Sequence, residues 1–315
     1  MPSSTTRTRA VSRVILGARG NGAPFRPGGR GAWPGGGVSR RMPAAAGSSA
    51  AGLPRRPWLN RLLRALERDL FVLHFQPIVS LHDGHVSHYE ALLRLADAPD
   101  GSLIAPGDFL PAAERHGLIR EIDRMVLAKA VQLLAERPGA AASAGRRVRV
   151  AINLSALSVT DETMLATIER TLHGRHVDPS RLSIEVTETY AISDIPRARR
   201  FCAGVLSLGC SLALDDFGAG FGSFHYLKHL PFSELKIDGE FIRGLTGSRT
   251  DQLVVRALAG IVRGMGRETI AEFVGDRPTM GMLRGFGVDY AQGFEVGRPA
   301  PLLPDRLSHE ELARL

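Results

Sequence analysis

Strand-like and helix-like runs alternate along this chain, and that alternation constrains its fold more than any other feature. From residue 147 onward, short apolar runs of strand length are each followed by an amphipathic stretch of helix length. Such a pattern calls for parallel strands joined by helical crossovers. The expected strands are Phe71 to Ser80, His85 to Leu95, Arg147 to Leu154, Arg181 to Thr187, Cys210 to Leu214, Ser233 to Ile237, Thr269 to Phe273 and Val288 to Ala291. The expected helices are Trp58 to Asp69, Gly107 to His116 (opened by Pro106 and stopped by Gly117), Ile119 to Glu136, Asp161 to His173, Ile195 to Leu208, Phe224 to Leu230, Thr250 to Met265 and Pro278 to Gly285. Pro138 to Gly145 reads as a flexible Ala/Gly connection. His82-Asp83-Gly84 supplies a turn between the first two strands, so these form a hairpin and one strand runs antiparallel. About eight strands over roughly 240 residues suits a (β/α)8 barrel better than an open sheet.

The barrel reading gives meaning to the residues at the strand ends. The strand-like runs end on Glu90, Asn153, Glu185, Asp215-Asp216, Lys236, Glu272 and Gln292. In a parallel βα barrel such ends converge on the face that carries the chemistry. Taken singly, each has an ordinary explanation. Glu90 suits a salt bridge, Asp215-Asp216 a turn or helix cap, Lys236 a rim ion pair and Gln292 a backbone cap. Taken together, those explanations need seven coincidences of position. Carboxylate and amide oxygens are hard ligands suited to Mg²⁺ or Mn²⁺. Adjacent aspartates at a strand end suit two metals, and two ions about 3.5 to 4 Å apart are a standard device for phosphodiester hydrolysis. Lysine occurs only at positions 129, 228 and 236, so Lys236 in Leu235-Lys236-Ile237-Asp238 is a pointed choice. Its ammonium suits an attacking water or developing charge. His74, His82, His85 and His88 lack ligand spacing, and His74 and His88 read as ordinary strand residues.

The net charge of +8 is unevenly placed: residues 1–57 hold ten arginines and no acidic residue, which leaves the rest at −2. This segment is rich in Gly, Pro, Ser and Ala, and is expected to be a disordered tail. One alternative is an arm for nucleic acid or anionic lipid, and another is an export or targeting signal, since the segment is Arg-rich and acid-poor. The division expected is therefore 1–57 tail and 58–315 barrel. No run reaches the length of a membrane span. Cys202 and Cys210 have neither metal nor redox spacing, and a cytoplasmic protein is expected.

Tyr89-Glu90-Ala91-Leu92-Leu93-Arg94 resembles the signature of the EAL family of cyclic di-GMP phosphodiesterases. The family's other motifs follow in order: Phe75-Gln76-Pro77-Ile78, Asn153-Leu154-Ser155, Glu185-Val186-Thr187-Glu188, Asp215-Asp216-Phe217-Gly218-Ala219-Gly220, Leu235-Lys236-Ile237-Asp238, Ala271-Glu272 and Gln292-Gly293-Phe294. The resemblance runs from about residue 60 to the C-terminus. It implies a (β/α)8 barrel with an antiparallel first strand, and cleavage of cyclic di-GMP to linear pGpG with two Mg²⁺ or Mn²⁺ ions. It further implies that Glu90, Asn153, Glu185 and Asp215 hold one metal, while Asp215 bridges to a second completed by Asp216 and Glu272. Lys236, Glu272 and Glu188 become the catalytic residues, Lys236 at the nucleophilic water. Gln76, Arg94, Asp238 and Gln292 become substrate-binding residues, Arg94 at a phosphate oxygen. The segment Phe217 to Tyr226 resembles a loop that couples dimerisation to metal binding, with Glu188 anchoring it, and a homodimer is implied.

The chain departs from the family after the seventh strand. The usual Glu-Gly-Val-Glu is here Glu272-Phe273-Val274-Gly275, which keeps the first glutamate and loses the second. Gly222 and Phe224 stand where serine and leucine are common. The alternative to an active phosphodiesterase is therefore a barrel that binds cyclic di-GMP as a receptor, or a protein-interaction module.

Overall fold

The structure is a computed structural model, and it describes residues 55–137, 147–187, 194–218 and 227–301, all within one compact unit, Ala51–Leu315. Residues 1–54 of the expected tail, the Pro138–Gly145 connection, Glu188, most of the Phe217–Tyr226 loop and the first three residues of the expected Phe224–Leu230 helix lie outside the described residues; the last three residues assigned to the tail, from Arg55, belong instead to the first helix.

Eight strands close into a barrel in chain order: β1 (Phe71–Ser80), β2 (Val86–Leu95), β3 (Val150–Asn153), β4 (Leu182–Thr187), β5 (Ser211–Phe217), β6 (Glu234–Ile237), β7 (Glu268–Ala271) and β8 (Tyr290–Gln292). β1 is antiparallel to both neighbours, β2 and β8, and every other pair is parallel. The hairpin expected from the Asp83-Gly84 turn is therefore the source of the one reversed strand.

Nine α-helices are described: α1 (Arg55–Glu67), α2 (Pro106–Arg115), α3 (Ile119–Glu136), α4 (Ala156–Val159), α5 (Met164–Gly174), α6 (Ile195–Ser207), α7 (Gly239–Arg243), α8 (Arg249–Gly264) and α9 (Arg277–Phe286). Their starts follow local chemistry. Asp194, Asp238, Ser248 and Asp276 each accept a backbone N–H of the first turn, satisfying a donor that a helix start leaves open. The core lies between the outward faces of the strands (Ile152, Ile184, Leu212, Leu235) and the inward faces of the helices (Leu127, Ile168, Val205, Leu258), all buried. Among the described residues no helix is long and apolar enough to cross a membrane.

Three changes of boundary bear on the site. Glu90 lies in mid-strand, because the β1–β2 hairpin overshoots the barrel: β2 pairs with β3 only from Tyr89 to Ala91 but with β1 along its whole length. Part of the overhang is covered by the segment after β8, where Phe75 and Ala300 exchange backbone hydrogen bonds. Asp215 and Asp216 fall inside β5 rather than after it, and Glu272 and Phe273 fall just beyond β7. The short helix α7 was not legible, since five residues are too few to show helical periodicity.

Candidate active site

Lys236 is the centre of the site. It lies on β6 with its side chain 1% exposed, and its Nζ is 2.8 Å from Glu185, 2.9 Å from Glu272, 3.1 Å from Asp215 and 3.6 Å from Glu90. Three strands and the residue just after β7 thus deliver one carboxylate each to a single ammonium. Burial works against the charged lysine, but Asp215, Glu185, Glu272 and Glu90 outweigh it and hold its pKa well above the usual value.

Burial, with repulsion among the acids adding to it, raises three of the acids at this site. Burial and then Glu90 drive Glu185 well above the ordinary carboxylate range. Burial, with Asp215 adding to it and Lys236 opposing, pushes Glu272 up to about 7. Asp216 is pushed up to about 6 by burial, then by Asp215 and Asp238. Glu90 shifts the other way. Burial raises it, but Lys236 and hydrogen bonds from Gln292 and Asn153 bring it below its usual value. The Asn153 amide donates to Glu90 Oε1 at 2.6 Å, and the Gln292 amide donates to Glu90 Oε2 at 2.6 Å. Gln292 also reaches Gln76 Oε1 at 3.3 Å, and Gln76 donates to the Gly297 carbonyl at 3.0 Å. A chain of amides therefore connects Glu90 to the segment after β8.

Neighbouring strand residues ordinarily point to opposite faces. Asp215 and Asp216 escape that rule through a bulge. The β5–β6 register shifts between Leu214 and Phe217, and Asp216 takes φ +56°, in the left-handed region. Oxygens of Asp215, Asp216 and Glu272 consequently lie within 4.8 Å of one another. Strain of this kind collects at functional sites.

The donor set fits a divalent cation. All the converging acids are hard oxygen donors, and two buried oxygens, Glu185 Oε1 and Gln292 Oε1, have no hydrogen-bond partner among the described residues. Above the pit opens a cleft of about 600 Å³, within the range of small-molecule sites. Its lining includes His74, Gln76, Arg94, Phe273, Phe294 and Arg298.

The structure thus brings together Gln76, Glu90, Asn153, Glu185, Asp215, Asp216, Lys236, Glu272 and Gln292, with Arg94 at the cleft wall. Arg94 donates to the Leu93 carbonyl at 2.7 Å. Asp238 does not line the cleft: its Oδ1 caps α7 through the Glu240 amide at 2.6 Å, and it acts on the site through its charge on Asp216. His74, read from sequence as an ordinary strand residue, lines the cleft. It shares the period-two face of β1 with Gln76, which was the available signal. Phe294, Arg298 and Pro299 also line the cleft, from a segment with no periodic pattern. His88 is fully buried one strand step from Glu90 on the same face, and burial holds its pKa well below the usual histidine value.

The family profile of the EAL domain matches residues 59–299. The chain belongs to the EAL domain family. It is 36% identical over 246 residues to the cyclic di-GMP phosphodiesterase PdeB of Shewanella oneidensis, an alignment that covers 78% of this chain and 28% of PdeB. The PaMucR phosphodiesterase in its c-di-GMP complex superposes with TM-score 0.72 at 37% identity, covering 78% of this chain and 98% of that one. The FimX EAL domain from Pseudomonas aeruginosa bound to c-di-GMP gives TM-score 0.72 at 30% identity, covering 80% and 99%. The chain spans 28–36% of the length of the curated relatives it matches.

Proposed function

We propose that this chain is a metal-dependent phosphodiesterase that opens one phosphodiester of cyclic di-GMP to give linear pGpG. The observation that carries this reading is the buried Lys236 ringed by Glu90, Glu185, Asp215 and Glu272 at the base of an open cleft. Membership of the EAL domain family and the named phosphodiesterases among its relatives support it.

In this reading Glu90, Asn153, Glu185 and Asp215 hold one divalent ion, Mg²⁺ or Mn²⁺, and Asp215, Asp216 and Glu272 hold a second. What such ions supply when bound is Lewis acidity toward phosphate and a water acidic enough to lose its proton near neutral pH. The protein's own residues orient and balance the charge. Asn153 and Gln292 fix both oxygens of Glu90, so that its lone pairs are aimed rather than free to rotate. Lys236 keeps a positive charge beside the attacking oxygen and offsets charge gained by the phosphoryl group. Arg94 meets a phosphate oxygen from the cleft wall, where a guanidinium binds with directed hydrogen bonds. Gln76 joins the Gln292 amide to the segment after β8 at Gly297. Roles for Asp238 in substrate binding, for Glu188 and for the loop through Tyr226 in a homodimer rest on the family resemblance alone.

The test is incubation of the purified full chain with cyclic di-GMP and Mg²⁺ or Mn²⁺, with pGpG followed by chromatography. Product is expected with the parent and none with Glu90→Ala, which removes a metal ligand and the partner of two amides. A folded parent that forms no pGpG with either metal overturns the assignment. If that sample still binds cyclic di-GMP, the receptor reading takes its place; Phe273 and Gly275 at the rim are what motivate that alternative.

A further inference from the structure

Phe273 occupies an unfavourable position by two independent measures. Its backbone sits at φ +53°, in the left-handed region that a bulky residue rarely adopts, and its side chain is 53% exposed. A residue selected for packing has neither property. Its ring is nevertheless held in place. It lies directly against Gly239, where any Cβ would collide with it, and the Arg243 guanidinium sits 4.0 Å from the ring centroid. Gly239 and Arg243 are one turn apart on α7, so this short helix forms a backing for the ring. The ring lines the same cleft as Asp216, Lys236 and Glu272.

The second exposed aromatic of the cleft repeats the arrangement. Phe294 is 62% exposed, and the Arg298 guanidinium lies 4.3 Å from its centroid. A guanidinium against one face of an aromatic ring is attracted by the ring quadrupole and restrains its rotation. Both phenylalanines line the cleft, so each adds exposed, restrained apolar surface to it. Aromatic plates beside a phosphate-directed site suit the faces of nucleobases. A cyclic dinucleotide carries two such bases, and the cleft carries two such plates.

We propose that Phe273, backed by Arg243 and seated on Gly239, is a stacking platform for one purine base of the ligand, with Phe294 and Arg298 forming a second. The proposal rests on the reading of the cleft as a cyclic di-GMP site, and it assigns to Phe273 a gain that offsets its strained backbone. It also changes the meaning of the departure from Glu-Gly-Val-Glu: the phenylalanine adds a binding surface beside the retained Glu272.

The test measures binding of a hydrolysis-resistant phosphorothioate analogue of cyclic di-GMP to the full chain with Mg²⁺ present, by calorimetry, beside thermal melting. For Phe273→Gly, affinity is expected to fall about tenfold, the scale of one base–aromatic stack. Its melting temperature is expected to hold or rise, because glycine accepts φ +53° and removes an exposed ring. Phe273→Trp is expected to bind the analogue at least as tightly as the parent. Unchanged affinity in Phe273→Gly overturns the platform and leaves the cyclic di-GMP reading intact. A matching loss of affinity and melting temperature makes Phe273 a packing residue and also overturns it. A parent that does not bind the analogue overturns both.

Discussion

Replacing Lys236 with methionine leaves Glu90, Glu185, Asp215 and Glu272 facing one another with no cation among them. Breaking a buried ion pair by removing one partner costs about 3–5 kcal/mol, because the other charge stays buried and uncompensated. In chelator, Lys236→Met is therefore expected to melt well below the parent. Saturating Mn²⁺ returns positive charge to the same acids, so the metal-induced rise in melting temperature should be larger in the variant than in the parent. Equal melting of the two proteins in chelator would show that the acids do not depend on the lysine. At Gly275 the expectation is the reverse, a gain. A Cβ there meets only the Phe273 carbonyl oxygen, at 3.9 Å, and the residue lines the cleft. Gly275→Glu is expected to fold as well as the parent and to raise pGpG formation at limiting metal by about tenfold, the lower end of what an orienting partner contributes. Titration of activity against Mg²⁺ checks this, and an unchanged midpoint and rate would show that the missing glutamate does not limit the site.

Elements are held in register by polar contacts as well as by the core, and Asp123 on α3 is the main such tie to α4. Its Oδ2 accepts from the Ser155 amide at 3.0 Å and from the Ser155 and Ser158 hydroxyls, each at 2.6 Å. Burial raises its pKa despite those bonds. A carboxyl whose folded pKa is raised binds its proton more tightly in the folded state, so stability is lost as pH rises through the window above the ordinary value of 3.8. An asparagine side chain at this position would keep an accepting oxygen without that penalty. Asp123→Asn is expected to match or exceed the parent in urea at pH 7, with the gap narrowing toward pH 4. Asp123→Ala, which leaves three donors unmet, should lose about 1–3 kcal/mol. An Asp123→Asn variant as unstable as Asp123→Ala at pH 7 would contradict this account. Elements also differ in how far the sequence reveals them. β1 and α3 have the bounds that the sequence implied: α3 keeps one buried face from Ile119 to Leu134, and β1 is closed by the His82-Asp83-Gly84 turn that follows it. β5 does not end where its apolar run ends. Pairing with β4 continues to Asp215, and the bulge at Asp216 carries the strand to Phe217. A left-handed residue inside a strand leaves no compositional trace, yet it is what brings both aspartates to Glu272. The list of candidate metal-site acids was thus legible from strand order, while their geometry was not. Phe294 and Arg298 come from an aperiodic segment, so only the closed barrel shows that they face the cleft.

At the scale of the whole molecule, a closed barrel has no edge strand from which to fray, so its deepest side chains should become reachable only by cooperative opening. The chain supplies its own reporters. Its two cysteines, Cys202 on α6 and Cys210 just before β5, are both buried, and burial pushes both thiols up to about 12. The thiolate is the reactive form, so folded protein at pH 8 presents almost none of it to an alkylating reagent. Labelling should then follow the population of the open state, and the two cysteines should label at nearly the same rate. A metal that binds only the closed barrel lowers that population by the factor 1 + [L]/Kd. With Mn²⁺ at about 100 times its Kd, iodoacetamide labelling of both residues should slow by about 100-fold, as read by mass spectrometry of tryptic peptides. Rapid labelling of Cys202 that ignores Mn²⁺ would mean that α6 opens on its own, without disturbing the strand ends that carry the acids. Slowing at both positions would tie occupancy of the pit to the integrity of the whole barrel. That coupling is expected when the acids of one pit come from β2, β4, β5 and the end of β7, since the ring must be closed before its ligands can meet.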